Sequence, residues 1–167
     1  MCTSLPTEAS LHWASMPALV TARTDHACCA VGGSIAVIGG VKRVGNNDTT
    51  TAGVEALTSR EGAAFVNLPP LSCGRTYSAA AIAVEVSDSI AGQVLLLGGG
   101  NGSNQHLSTV QLVDLATGVC ILHPHLLHGR VCPAAARLLD GRVVCAGGIE
   151  VGYLSSAEVL GPPEQGA

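Results

Sequence analysis

Residues 93–99 read Gln-Val-Leu-Leu-Leu-Gly-Gly, an apolar run shut by a glycine doublet, and two other stretches have the same form: SIAVIGG at 34–40 and RVVCAGG at 142–148. Apolar runs of this length, bounded by glycine and polar clusters, read as buried strands; no capped helical period is evident. The glycines of the doublets, Gly39 and Gly40, Gly98 and Gly99, Gly147 and Gly148, suit places where backbones approach closely or take dihedrals closed to other residues. Working outward, each run is preceded by small residues: Ala27-Cys28-Cys29-Ala30, Ala79-Ala80-Ala81 and Ala134-Ala135-Ala136. Ahead of these lie Arg23, Arg75 and Arg130, each ten residues after Trp13, Phe65 or Cys120. Pro17, Pro69 and Pro124 fall four residues after the same starting points, and Leu19, Leu71 and Leu126 six. Each doublet is followed by a variable loop (Val41–Gly53, Gly100–Ser108, Ile149–Leu154) and a short strand with an acidic or amide residue in register. Those pieces are Val54-Glu55-Ala56, Val110-Gln111-Leu112 and Ala157-Glu158-Val159. Fixed offsets in three copies, with arginine-to-arginine periods of 52 and 55 residues, make this a repeat protein.

A period near 50 with a strand ending in Gly-Gly resembles the kelch repeat. The resemblance runs from about Ser10 to Gly161 and implies an all-β fold, a partial β-propeller of three four-stranded antiparallel blades. It divides the chain into an N-terminal tail (1–9), a fourth-strand piece (10–14), repeat 1 (20–67), repeat 2 (72–122), an incomplete repeat 3 (127–161) and a C-terminal tail (162–167). Typical kelch repeats carry a tyrosine after the third-strand acidic position and a fourth-strand tryptophan; here the tyrosine is absent and only Trp13 keeps the tryptophan. Three blades fall short of the four to eight that close a ring. The expectation is therefore a piece of a longer protein, or a homodimer completing a six-bladed ring by exchanging the N-terminal strand.

Composition narrows the function. A net charge of −4 with one lysine, Lys42, gives no basic stripe for nucleic acid. No apolar run approaches the ~18 residues of a membrane helix, and the N-terminal residues lack the pattern of a signal peptide. Seven cysteines in no regular framework read as reduced core thiols of a cytoplasmic protein. Aromatics at 2% leave the core to Ala, Val, Leu, Ile and Cys.

Chemistry is sparse. The glycine-rich LLLGGGNGSN stretch has no following helix to hold phosphate, and no catalytic motif or paired-acid arrangement occurs. Cys120, His123, His125 and His128 carry zinc-ligand chemistry at short spacing, yet align with packing positions of the sister repeats; no metal or cofactor is expected. By resemblance, Arg23, Arg75 and Arg130 stand near a channel mouth, where guanidinium forks suit an acidic peptide. The alternative is that each arginine bonds the carbonyls of its own turn. Lys42, Arg43, Asn46, Asn101, Asn104, His106 and Tyr153 lie on the variable loops, where a rigid scaffold carries its binding surface. The resemblance implies a non-catalytic module that binds a polar or acidic peptide of a protein partner, as an adaptor or the substrate-recognition part of a ubiquitin ligase. The second reading is a remnant of a kelch-fold enzyme, an oxidase or sugar epimerase.

Overall fold

A computed structural model describes residues 12–57, 63–74, 76–84, 92–103 and 105–161. These residues form thirteen strands and no helix. Four strands make a first antiparallel sheet: β1 (Ala27–Val31), β2 (Ser34–Ile38), β5 (Val54–Leu57) and β6 (Phe65–Leu68), in that spatial order. A hairpin of β3 (Val41–Val44) and β4 (Asn47–Thr50) is inserted between β2 and β5. The second sheet holds β7 (Ala80–Ala83), β8 (Gln93–Leu97), β9 (Val110–Asp114) and β10 (Cys120–His123). The third has β11 (Ala134–Arg137), β12 (Val143–Ala146) and β13 (Ala157–Leu160). None of the sheets closes on itself, and no helix among the described residues could cross a membrane.

The alternation of β8 explains how the sheets stack. Val94 and Leu96 join a core with Ile38, Val54, Leu71 and Val113, packing the second sheet on the first. Leu95 and Leu97 point the other way and meet Val143 and Cys145 of the third sheet. Period-two side-chain direction thus lets one strand serve two cores. The small-residue strands adjoin one another, β7 touching both β1 and β11; alanine and cysteine side chains permit that approach.

Backbone hydrogen bonds also tie each sheet to the next. The second glycine of a doublet donates to the segment leading into the following sheet, Gly40 N–H to Thr76 O at 2.8 Å and Gly99 N–H to Arg130 O at 2.8 Å. A second line of bonds joins the lead-ins themselves, Ser78 N–H to Asp25 O and Cys132 N–H to Ser78 O. Asp25, Ser78 and Cys132 all take positive φ, between 51° and 54°. Non-glycine residues hold that conformation only where their surroundings impose it.

Two expectations need correction. The fourth-strand piece expected at Ser10–Ala14 is not a strand at residues 12–14, where Trp13 is fully exposed; residues 10 and 11 lie outside the described residues. The segment that follows is held on the first sheet, where Glu55 accepts the N–H groups of Val20 and Thr21, while the three-stranded sheet is the third. The expected loop Val41–Gly53 contains the hairpin β3–β4, reversed by the two-residue turn Gly45-Asn46. Gly45 has φ +62°, which the first position of a II′ turn demands. The tails 1–9 and 162–167 also lie outside the described residues.

Candidate functional site

Two of the three sheets are locked by an identical buried ion pair. In the first, Arg23 Nη1 donates to Gly39 O and Gly53 O, both at 2.9 Å, and Nη2 bonds Glu55 Oε1. In the third, Arg130 Nη1 donates to Gly147 O at 2.8 Å and Ser156 O at 3.2 Å, and Nη2 bonds Glu158 Oε1. Each carboxylate also accepts two backbone N–H groups, two and three residues before its arginine: Val20 and Thr21 for Glu55, Leu127 and His128 for Glu158. The arginine side chains are 2% and 0% exposed, so these guanidinium groups line no surface; they bond the carbonyls of their own turns. The sequence placed Glu55 and Glu158 in register without pairing them to the arginines.

The second sheet departs from this plan. Arg75 lies outside the described residues, and the position matching Arg23 and Arg130 belongs to Thr76, which is buried. Three relations fix the match. Thr76 O receives the glycine N–H of the preceding sheet, as Arg130 O does. The positive-φ residue follows two places later, Ser78 as against Asp25 and Cys132. The inner strand begins four places later, at Ala80 as at Ala27 and Ala134. The repeat as threaded in space is therefore shifted by one residue from the repeat as read through the arginines. Gln111 stands where Glu55 and Glu158 stand, accepting from Cys73 Sγ at 2.9 Å. A cavity of about 180 Å³ opens here, lined by Thr76, Gly98, Thr109 and Gln111 together with Cys73 and Asn101.

The variable loops form a continuous edge around this cavity. Gly102 abuts the first hairpin, since a methyl group on it would stand 2.6 Å from Thr50 Oγ1. The same loop meets the third sheet, where Arg130 N–H donates to Leu107 O at 3.0 Å. The third loop follows, through the mutual bonds of Val131 and Ile149 at 2.9 Å and the approach of His128 to Glu150 at 3.5 Å. Along the edge Arg43, Asn46, His106 and Tyr153 are exposed, Lys42 and Asn101 are half-buried, and Asn104 lies outside the described residues. Arg43 is paired in the open with Asp48, and Asn101 Nδ2 donates to Gln105 Oε1 at 2.7 Å. Tyr153 is 93% exposed. The edge is polar and mixed in charge.

The remaining candidates do not converge. Among the described residues no three His, Cys, Asp or Glu side chains are grouped to hold a metal ion. His128 turns to Glu150 and Cys120 packs on the first core. The described cysteines are free thiols. Cys28 is exposed on β1 and Cys29 is turned in, its thiol pushed up to about 12 by burial and then by Cys28. No protein-family model matches the chain, and no curated protein shows significant sequence similarity to it.

Proposed function

We propose that the three sheets are three blades of a kelch-type partial β-propeller, and that the chain is a cytoplasmic, non-catalytic binding module whose loop edge docks a polar peptide of a protein partner. The observation that carries this reading is the single edge made by the three loops that follow the glycine doublets. Rigid elements stand behind each loop: a buried Arg–Glu pair in two sheets, and bonded glycine doublets in all three. Variable polar loops on such a frame, with one exposed aromatic, have the make-up of a recognition surface. The blade assignment is supported by the recurring hooks from each doublet to the next sheet and by the adjoining small-residue strands. With Arg23 and Arg130 buried against carboxylates and Arg43 paired with Asp48, the edge favours a polar peptide over an acidic one.

A second copy of the chain is the partner that completes the ring. Specific features favour it: among the described residues β13 ends the third sheet with no fourth strand beside it, and Trp13 is exposed and not part of a strand. Light scattering over a concentration series then gives twice the mass of the 16.7 kDa chain; a monomer at every concentration rejects the ring. The docking edge is tested by panning a random peptide library on the whole chain. Enriched peptides should lose at least about tenfold in affinity to Tyr153→Ala or Asn46→Ala, and none to Ile121→Ser on β10. Peptides indifferent to the edge variants overturn the reading.

A further inference from the structure

We infer that Cys73 and Cys120 are a modification site, a reversible disulfide that staples the segment joining the first two sheets to the outer strand of the second; this goes beyond the docking reading and does not depend on it. The backbone brings the two cysteines together. Ser72 N–H donates to Gly118 O at 2.8 Å, and Cys120 N–H donates to Ser72 Oγ at 3.0 Å. The contact is tight, since a methyl group on Gly118 would collide with Pro70 O. Side-chain direction then sets the thiols on one face. In the pairing of β9 with β10, Gln111 stands opposite Leu122 and Val113 opposite Cys120. Residues two apart on a strand share a face, so Cys120 projects on the side that carries Gln111. Cys73 Sγ donates to Gln111 Oε1 at 2.9 Å on that same side, and the Cys73 and Cys120 thiols are themselves hydrogen-bonded. Burial, and after it the neighbouring Cys120, pushes the Cys73 thiol up to about 12.

The oxidant is a small-molecule disulfide. Cys73 is exposed and Cys120 half-buried, so the reagent meets Cys73 first. The Cys73 thiol gives up its proton and attacks one sulfur of the reagent, whose S–S bond breaks; a first small thiolate leaves and takes up a proton. Cys120 then loses its proton and attacks Cys73 Sγ, which forms the protein disulfide and expels the second small thiol. Two protein thiols are oxidised, one reagent disulfide is reduced to two thiols, and the protons balance. A thiol held so high is almost wholly protonated at neutral pH, which makes the first attack slow; the staple therefore records sustained oxidation. A glutathione-rich, reducing compartment keeps the pair open. Closure has two structural effects. A disulfide sulfur has no proton to donate, so Gln111 Oε1 loses the bond it accepts from Cys73. The joining segment, already tied to the first sheet by Leu71 N–H donating to Ala52 O at 2.9 Å, becomes covalently fixed to the second. The site is particular to the second sheet, because the sister repeats carry Trp13 and Phe65 at the place of Cys120. Cys28 and Cys29, adjacent on β1, are turned to opposite faces.

The test titrates the full chain with glutathione buffers of rising oxidised fraction, alkylates the remaining thiols and maps the peptides by mass. The peptide holding Cys73 and the peptide holding Cys120 should appear joined, with loss of a hydrogen from each, before any other cysteine pair forms. The melting temperature should rise by about 5–10 °C and fall back with dithiothreitol, and the Gln111 side-chain amide resonances should shift on closure. Cys73→Ser and Cys120→Ser should each remove the rise, whereas Cys132→Ser should keep it. The mapping itself needs no variant, so a variant that misfolds leaves the test standing. Both thiols still open to alkylation when other cysteines have paired overturns the inference, as does glutathione left unresolved on Cys73. A Cys73–Cys120 link that leaves melting and Gln111 unchanged overturns it too, since nothing is then stapled.

Discussion

The first and third sheets solve one problem in one way, and the second solves it differently. Wherever a lead-in segment crosses the end of its sheet, carbonyls converge and need donors. In the outer two sheets an arginine supplies them from inside and a glutamate neutralises it. In the middle sheet Thr76 and Gln111 stand at the matching places and line a cavity. A repeat protein thus carries its own control: the same backbone frame with a glutamate at this strand position twice and an amide once. The contrast isolates what the buried carboxylate adds to a shared turn.

The largest effect should come from splitting a pair. Arg130→Met strands the Glu158 carboxylate and should lower unfolding free energy by about 3–5 kcal/mol, and Arg23→Met likewise at Glu55. Gln111→Ala in the middle sheet should cost under about 1.5 kcal/mol. Urea unfolding of the three variants measures the gap, and equal losses would break the contrast. A finer comparison lies in the doublets, because Gly98 and Gly147 share φ +65°. An added methyl would lie 2.5 Å from Arg130 O at Gly98 but no nearer than 3.7 Å from Leu154 O at Gly147. Gly147→Ala should cost the left-handed penalty of about 1–2 kcal/mol, and Gly98→Ala about 1–3 kcal/mol more from the clash. Thermal melts resolve that difference, and equal shifts would mean the backbone yields freely at the second sheet. The smallest effect should come from Arg43→Ala, which removes an ion pair whose side chains are 68% and 58% exposed. A change within about 0.5 kcal/mol is expected there, and a loss near that of Arg130→Met would erase the distinction between open and buried pairs.

Most strands were legible because their ends are chemically marked. The apolar runs closing at Gly39, Gly98 and Gly147 became β2, β8 and β12, and the pieces holding Glu55, Gln111 and Glu158 became β5, β9 and β13. The one-residue shift at the second sheet was not legible. Ala79-Ala80-Ala81 is a run of like side chains, so sliding it by one changes little in what each face presents, and pattern cannot set the register. Arg75 is in step with its sister arginines by count and lies outside the described residues, while by its backbone relations Thr76 takes the place of Arg23 and Arg130. The hairpin after β2 was missed although Gly45-Asn46 is a turn signal, because only four residues on either side carry a weak alternation. The candidate cavity had one readable sign, the amide of Gln111 where the other repeats carry acids.

The glycine hooks point forward along the chain, while the lead-in bonds point back, Ser78 donating to Asp25 and Cys132 to Ser78. Gly40 finds its acceptor at Thr76 and Gly99 at Arg130, each supplied by residues that follow. Each glycine hook therefore ties the seating of a sheet to the lead-in of the sheet after it, so a disturbance at Thr76 or Arg130 is passed back to the sheet before.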